Sequence, residues 1–169
     1  SGMLAQNSIV IKESNSGTEA TLTASSSASV SFTLSDSVSH CGDYTMTVKT
    51  QPTGQSCTFT TSGSDTNVKV AVTGVVCTCT LKPYNVGGNV QDIAASDTIT
   101  LSLNNGGSSK SRTGPGAFTF DDTVDHTGSY AVTVSSAPTG KTCTVTDGSG
   151  TINAADITNV VVKCSHITY

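Results

Sequence analysis

The chain of 169 residues has no tryptophan, few other aromatic residues and little charge. It contains 4 Phe and 4 Tyr, and only 12% of its residues are charged. Long stretches of Leu, Ala, Glu and Lys, which favour helices, are also absent. The abundance of Ser, Thr, Val and Gly instead favours strands and turns. The composition therefore predicts an all-β protein.

Further absences limit the partners and the chemistry. The net charge is −4, and there is no basic stripe of the kind that binds nucleic acid. No apolar run approaches the length of a membrane-spanning helix. Catalytic motifs such as Gly-x-Ser-x-Gly and His-Glu-x-x-His do not occur. We expect a protein that is not an enzyme, binds no nucleic acid and does not insert into a membrane.

The main feature of the sequence is an internal repeat. The segment Phe32–Thr58 returns without a gap as Phe118–Thr144, and 13 of the 26 positions from Phe32 to Cys57 are identical. A repeat of this quality divides the chain into two units, which we place at residues 1–82 and 83–169. Each unit should contain about seven short strands, a pattern typical of an Ig-like sandwich of two antiparallel sheets.

Alternating apolar and polar residues predict individual strands, including residues 29–34 and 68–72. Pro52–Gly54 should break a strand, because proline lacks the amide donor and glycine permits a positive φ. The Asn-Asn-Gly-Gly sequence of residues 104–107 predicts a hairpin turn. Residues 108–116 are expected to form a polar loop or a weak strand.

The two units differ at their beginnings. Residues 84–90 predict an opening strand in the second unit, and the first unit shows no equivalent of it. Whether residues 1–25 complete the first sandwich stays open at this point. Cys79–Tyr84 matches Cys164–Tyr169, so Tyr169 would be the first residue of a third unit. We therefore expect the chain to be a fragment of a longer tandem array.

Six cysteines in two small units predict disulfides and an oxidising compartment. The second unit has only two cysteines, which should pair with each other. The repeat predicts the matching pair in the first unit, and the two remaining cysteines would then form a third bridge. The predicted disulfides are Cys143–Cys164, Cys57–Cys79 and Cys41–Cys77.

Two metal sites are the alternatives to this structural interpretation. A zinc site would use His40, Cys41, Cys77 and Cys79, although Cys-x-Cys is poor spacing for a metal compared with Cys-x-x-Cys. A calcium site would use Asp121, Asp122 and Asp125, although their spacing matches no known calcium loop. We expect a solvated acidic loop and no cofactor.

His40 and His126 occupy the same place in the two copies, and neither has a partner at a recognised catalytic spacing. We expect each to hydrogen-bond the turn before the strand that contains Tyr44 or Tyr130. Those tyrosines resemble a corner tyrosine, whose ring fills the core while its hydroxyl ties the preceding turn.

The second unit contains a set of characteristic motifs, which are Tyr84–Val90, Leu103–Gly107, Gly116–Phe120, Gly128–Val134, Pro138–Val145 and Val160–Cys164. Together they resemble tandem repeats of bacterial cell-surface and secreted proteins. They are also similar to carboxypeptidase-regulatory and transthyretin-like sandwiches. The resemblance implies an Ig-like sandwich outside the cytoplasm with a role in surface attachment and no catalytic residue. Repeats of that family carry two cysteines each, so Cys41 and Cys77 depart from the pattern.

The function expected from these observations is that of a non-catalytic, disulfide-stapled stalk or adhesin module of an exported bacterial surface protein. One alternative is a module that binds a glycan or a host protein through end loops, with Asn104, Lys110 and Arg112 as the contact residues. Another is a pilus or fibre subunit assembled by strand donation. Further copies of the repeat in the parent chain are expected partners.

Overall fold

The computed structural model describes residues 2–25, 30–35, 37–104 and 107–168. These residues form strands and no helix, which confirms the predicted all-β, sandwich-type fold. Nothing in these ranges is a helix that could cross a membrane. The chain divides into two compact units, Ser1–Leu81 and Lys82–Tyr169, referred to below as unit 1 and unit 2. The comparison of Tyr169 with Tyr84 lies outside the described residues.

Unit 2 has eight strands within its described residues, where about seven were predicted. They are β7 (Pro83–Gln91), β8 (Thr98–Leu103), β9 (Ser108–Thr113), β10 (Gly116–Asp125), β11 (Ser129–Ser136), β12 (Lys141–Thr146), β13 (Ser149–Thr151) and β14 (Ile157–His166). One sheet has the order β10-β7-β14-β12 and the other β13-β11-β8-β9. All described strand pairs of the unit are antiparallel except β7 and β14, which run parallel.

The core of unit 2 lies on the apolar face of strands that alternate as a half-buried sheet requires. Phe118 and Phe120 of β10 are buried while the residues between and beside them are exposed. Val86 and Val90 of β7 have no exposed surface, and they lie in one cluster with residues of β8, β10 and β14. Strand β7 is therefore central both to its sheet and to the core.

Unit 1 has six strands within its described residues. They are β1 (Ser8–Glu13), β2 (Glu19–Thr23), β3 (Gly42–Thr50), β4 (Gln55–Thr61), β5 (Ser64–Val68) and β6 (Val76–Leu81). One sheet has the order β2-β1-β3-β5, and the other consists of β4 and β6. The register of β1 on β2 and β3 matches that of β8 on β9 and β11, so Ile9 corresponds to Ile99 and Ile11 to Leu101.

The strand predicted at residues 29–34 does not form in the part that the structure describes, residues 30–34. Val30, Phe32 and Leu34 still alternate inward with exposed residues between them, but their backbone joins no ladder. Their counterpart in unit 2 is the start of β10, which pairs with β7. The described residues of unit 1 contain no strand equivalent to β7, so no described strand pairs with this segment.

The prediction of a strand at residues 68–72 is also wrong for every residue after Val68. Strand β5 ends at Val68, and Val70 and Val72 are 80% and 38% exposed. In the repeat, Val72 corresponds to Ile157, where β14 begins and pairs with Val86 of β7. Strand β6 begins only at Val76. The last strand is thus shorter in unit 1 over the part that pairs with β7 in unit 2.

Turn chemistry agrees with the sequence in both units. Gly54 and Gly140 have φ of 67° and 74°, and the amide after each donates to the carbonyl of the proline two residues before the glycine. Both geometries are turns that require a positive φ at their third position. Leu103 pairs with Ser108 across the predicted hairpin, of which residues 105 and 106 are outside the described residues.

Gly88 allows the parallel pair to form. A Cβ at this position would overlap the carbonyl oxygen of Val160 on β14. We predict that Gly88→Ala lowers the free energy of unfolding of unit 2 by at least about 2 kcal/mol, because a backbone clash cannot be relieved by a change of rotamer. Urea denaturation followed through NMR signals of β14 measures the effect.

Gly107→Ala is the matched control. Among the described residues, the atom nearest to its added Cβ would be the Leu103 carbonyl oxygen at 3.5 Å, an ordinary contact. Equal losses of stability for the two variants would contradict the role assigned to Gly88.

Candidate functional site

Both units contain a disulfide at the same place. Cys57 is bonded to Cys79 across β4 and β6, and Cys143 to Cys164 across β12 and β14. In each case the bonded residues face each other directly in the strand register. Two of the three predicted bridges are therefore present, and each fixes the last strand of its unit to the strand beside it. Disulfides at these positions indicate an oxidising compartment.

The predicted Cys41–Cys77 disulfide does not form. Cys41 is exposed in the turn before β3, and its amide donates to Val68 at the end of β5. Cys77 lies on β6, which belongs to the other sheet. The thiol of Cys41 is 3.1 Å from Nδ1 of His40. Elimination predicts this pair, whereas the fold places Cys41 in an exposed turn outside the sheets and Cys77 on a strand of the β4–β6 sheet.

No metal-binding cluster links the predicted ligands. Among the residues that the structure describes, no three His, Cys, Asp or Glu side chains are close enough to hold a metal ion. Asp121 instead forms an ion pair with Lys110, with Nζ and Oδ1 2.7 Å apart. The expectation that the protein has no cofactor stays a prediction.

The three residues predicted to contact a ligand do not share a loop. Lys110 and Arg112 lie two residues apart on β9, an edge strand, so the strand predicted as one of two possibilities for residues 108–116 forms over Ser108–Thr113. Lys110 pairs with Asp121, and Nη2 of Arg112 donates to the Pro115 carbonyl at 2.7 Å. Asn104 ends the β8 side of the hairpin. Each residue thus has a contact within unit 2, and a binding role for them stays a prediction.

The two repeated histidines have different environments. His126 is buried, its Nδ1 accepts a hydrogen bond from the Ala154 amide at 3.1 Å, and its ring packs edge-on against Tyr84. This partner, Ala154, lies in the loop between β13 and β14. The sequence predicts a hydrogen bond to the turn before β11 instead. His40 is exposed beside Cys41. The two side chains therefore make different contacts, although both residues lie in the same turn, closed by the Gly42 and Gly128 amides.

The tyrosine tie is common to both units, although its partner differs from the prediction. Tyr44 is buried and its hydroxyl donates to the Ser62 carbonyl at 2.7 Å. Tyr130 is placed in the same way against Asp147, at 3.5 Å. Both acceptors lie in the turn that follows the next strand, where φ is positive. The hydroxyl thus ties a later turn and not the preceding one.

A buried carboxylate in unit 1 was not recognised in the sequence. Glu13 ends β1, and its oxygens accept the backbone amides of Asn15, Ser16 and Thr45 at 3.1, 2.5 and 3.1 Å. In unit 2 the amide oxygen of Asn104 accepts from Ala131, the counterpart of Thr45, at 2.8 Å. The two units thus satisfy the same strand amide with unlike side chains at adjacent positions, which a residue-by-residue repeat comparison does not reveal.

A second pair of equivalent side chains was also not recognised in the sequence. These side chains hold the segment before β1 in unit 1 and the segment before β8 in unit 2. Nε2 of the fully buried Gln55 donates to the Gly2 carbonyl at 2.8 Å. Its counterpart Lys141 donates through Nζ to the Asp92 carbonyl at 2.7 Å. Gly2 and Asp92 therefore occupy equivalent places. The repeat aligns Gln55 with Lys141, but nothing in either residue type indicates what it would bind.

No protein-family model and no curated protein matches this sequence. The resemblance to surface-protein repeats therefore stays an expectation from the motifs.

Glu13 makes unit 1 sensitive to acid. Burial acts to raise the pKa of Glu13, but hydrogen bonds from the amides of Ser16, Asn15 and Thr45 outweigh it and lower the pKa from 4.5 to about 2. Because the folded-state value is the lower one, the carboxylate stabilises unit 1 above pH 4.5, and this stabilisation is lost as the pH falls towards 2.

We predict that Glu13→Gln lowers the free energy of unfolding of unit 1 at pH 7 by about 2 kcal/mol, the value of charged hydrogen bonds. It should also remove most of the acid-dependent loss of stability. Urea denaturation at several pH values measures both effects. Glu19→Gln is the control, because the described ion pair of Glu19 with Lys49 is exposed. An unchanged acid profile in Glu13→Gln would show that Glu13 does not carry the effect.

Proposed function

We propose that the chain is a non-catalytic, load-bearing pair of related sandwich units from an exported bacterial surface protein. The observation that carries this proposal is the matched disulfide, which fixes the final strand of each unit. In unit 2 that strand also pairs with β7, the first strand of the unit. A force applied to the two ends of unit 2 acts on β7 and β14, which are joined by backbone hydrogen bonds, and the disulfide holds β14 to β12 on its other side.

The disulfide also protects units with small cores. Closing a loop of about 21 residues stabilises a fold by roughly 3 kcal/mol in the chain-entropy model. The total free energy of unfolding of a unit of this size is expected to be only about 5–15 kcal/mol. A staple at the same place in both units suits a module that must stay folded outside the cell.

The motif resemblance supports a role in surface attachment, and the oxidising compartment that the disulfides indicate is compatible with it. Binding of a glycan or host protein by Asn104, Lys110 and Arg112 is the alternative. A glycan array probed with the chain and with Lys110→Ala/Arg112→Ala separates the two functions. Glycan binding that is present in the unchanged chain and lost in this variant would favour the binding function over the load-bearing one.

Single-molecule stretching tests the load-bearing role. The disulfides close sequence separations of 22 and 21 residues. An extended chain spans at most about 3.4 Å per residue, so each disulfide prevents roughly 70 Å of chain from extending. We predict that each unit unfolds in a distinct force event, and that reductant lengthens each event by about 70 Å.

Cys41→Ser is the control, because Cys41 is outside both disulfides and its removal should leave both extensions unchanged. Units that extend without a measurable force event would contradict the load-bearing function. Extensions that are insensitive to reductant would contradict the disulfide basis for it.

A further inference from the structure

Unit 1 contains an apolar groove where unit 2 has a strand. The groove has a volume of about 150 Å³ and lies between β1, residues 30–32 and the start of β6. The groove is open to solvent, its lining side chains are apolar, and its volume is large enough to hold several carbon atoms. The residues that define its three sides are Ile9, Ile11, Val30, Phe32, Val75 and Cys77.

Unit 2 shows what fills the equivalent space. The counterparts of the six groove residues are Ile99, Leu101, Gly116, Phe118, Val160 and Val162. Five of them, all except Gly116, belong to one buried cluster with Val86 and Val90 of β7, which have no exposed surface. Two valine side chains of a single strand therefore occupy in unit 2 the space that is a groove in unit 1.

The backbone around the groove fits the same conclusion. In unit 2, β7 lies between β10 and β14. In the described part of unit 1, the counterpart of β10 forms no strand, and the counterpart of β14 begins four positions later, at Val76 instead of at Val72. These are the two segments that β7 would pair with. The exposed side chains of Val72 and Val76 lie on the second of them.

The place where such a strand would join unit 1 is also defined. The parallel register of unit 2 puts Gln91 beside Lys163, so the next positions in line are Asp92 and Cys164. In unit 1 the equivalent pair is Gly2 and Cys79, and a Cβ on Gly2 would come within 2.6 Å of the Cys79 carbonyl oxygen. Residue 2 thus already occupies the end of the groove next to Cys79. The unoccupied part of the groove lies beside the start of β6 and residues 72–75.

We infer that unit 1 is a strand acceptor. Its occupant is an extended peptide segment from outside residues 1–169 with the pattern of β7, bound parallel to β6 and antiparallel to residues 30–35. The segment must present two β-branched residues four positions apart on one face, as Val86 and Val90 do. It must also have glycine at the position of Gly88, where the acceptor backbone comes too close for a Cβ. This inference does not depend on the load-bearing function.

A synthetic peptide with the sequence of Pro83–Gln91 tests the inference in the intact chain. Docking should bury Cys77 as Val162 is buried in unit 2, where its exposure is 0%. At saturating peptide we expect alkylation of Cys77 to slow by at least about tenfold. Alkylation of the exposed Cys41 should not change, so the chain contains its own control.

The matched control peptide carries valine at the position of Gly88. It keeps the apolar character but cannot approach the acceptor backbone, and it should not slow the alkylation of Cys77. Equal protection by the two peptides, or protection by neither, overturns the inference. Protection that rises with chain concentration in the absence of peptide overturns it too, because the occupant would then be a second copy of this chain.

A fusion provides an independent measurement that does not depend on peptide affinity. Residues 83–91 are placed directly before Gly2, since Gly2 is equivalent to Asp92. The fused strand should protect the backbone amides of residues 30–35 and 72–75 from hydrogen exchange by about tenfold or more, and the same fusion with valine at the Gly88 position should not. Unchanged exchange in the first fusion also overturns the inference.

Discussion

A strand inside a sheet needs hydrogen-bonding partners on both sides, and in unit 2 the strand Pro83–Gln91 supplies them to its two neighbours. It pairs antiparallel with Gly116–Asp125 and parallel with Ile157–His166, and Gly88 allows the backbones to approach. The same strand places Val86 and Val90 in the core. Sheet and core in this half of the sandwich thus depend on one nine-residue segment.

Unit 1 shows the consequence of having no equivalent segment among its described residues. Other parts of the unit keep the pattern of unit 2, including the disulfide, the buried tyrosine and the register of Ser8–Glu13 on its neighbours. The differences gather where the opening strand would lie. There the backbone of residues 30–35 joins no sheet, the last strand is short, and an apolar groove is present. A single missing pairing accounts for all three.

The sequence alone predicts features that depend on local pattern or on the repeat: the all-β fold, the Pro-x-Gly turns and the disulfides that both copies share. It does not predict features that depend on a distant partner. The alternation at residues 30–34 is that of a strand, but a strand also needs a neighbour. Elimination pairs Cys41 with Cys77, and only the fold shows that Cys41 lies in an exposed turn while Cys77 lies on β6. The contacts of Glu13 with Thr45 and of Gln55 with Gly2 are with backbone groups far away in the chain, which leave no mark in residue type.

Amide hydrogen exchange of residues 30–35 against residues 116–121 tests the central claim most directly, since the two segments are counterparts in one chain under one condition. Backbone amides that pair with Pro83–Gln91 should exchange at least about a hundredfold more slowly than their equivalents in unit 1. Equal protection of the two segments would contradict the account, because it would mean that residues 30–35 already have a strand partner.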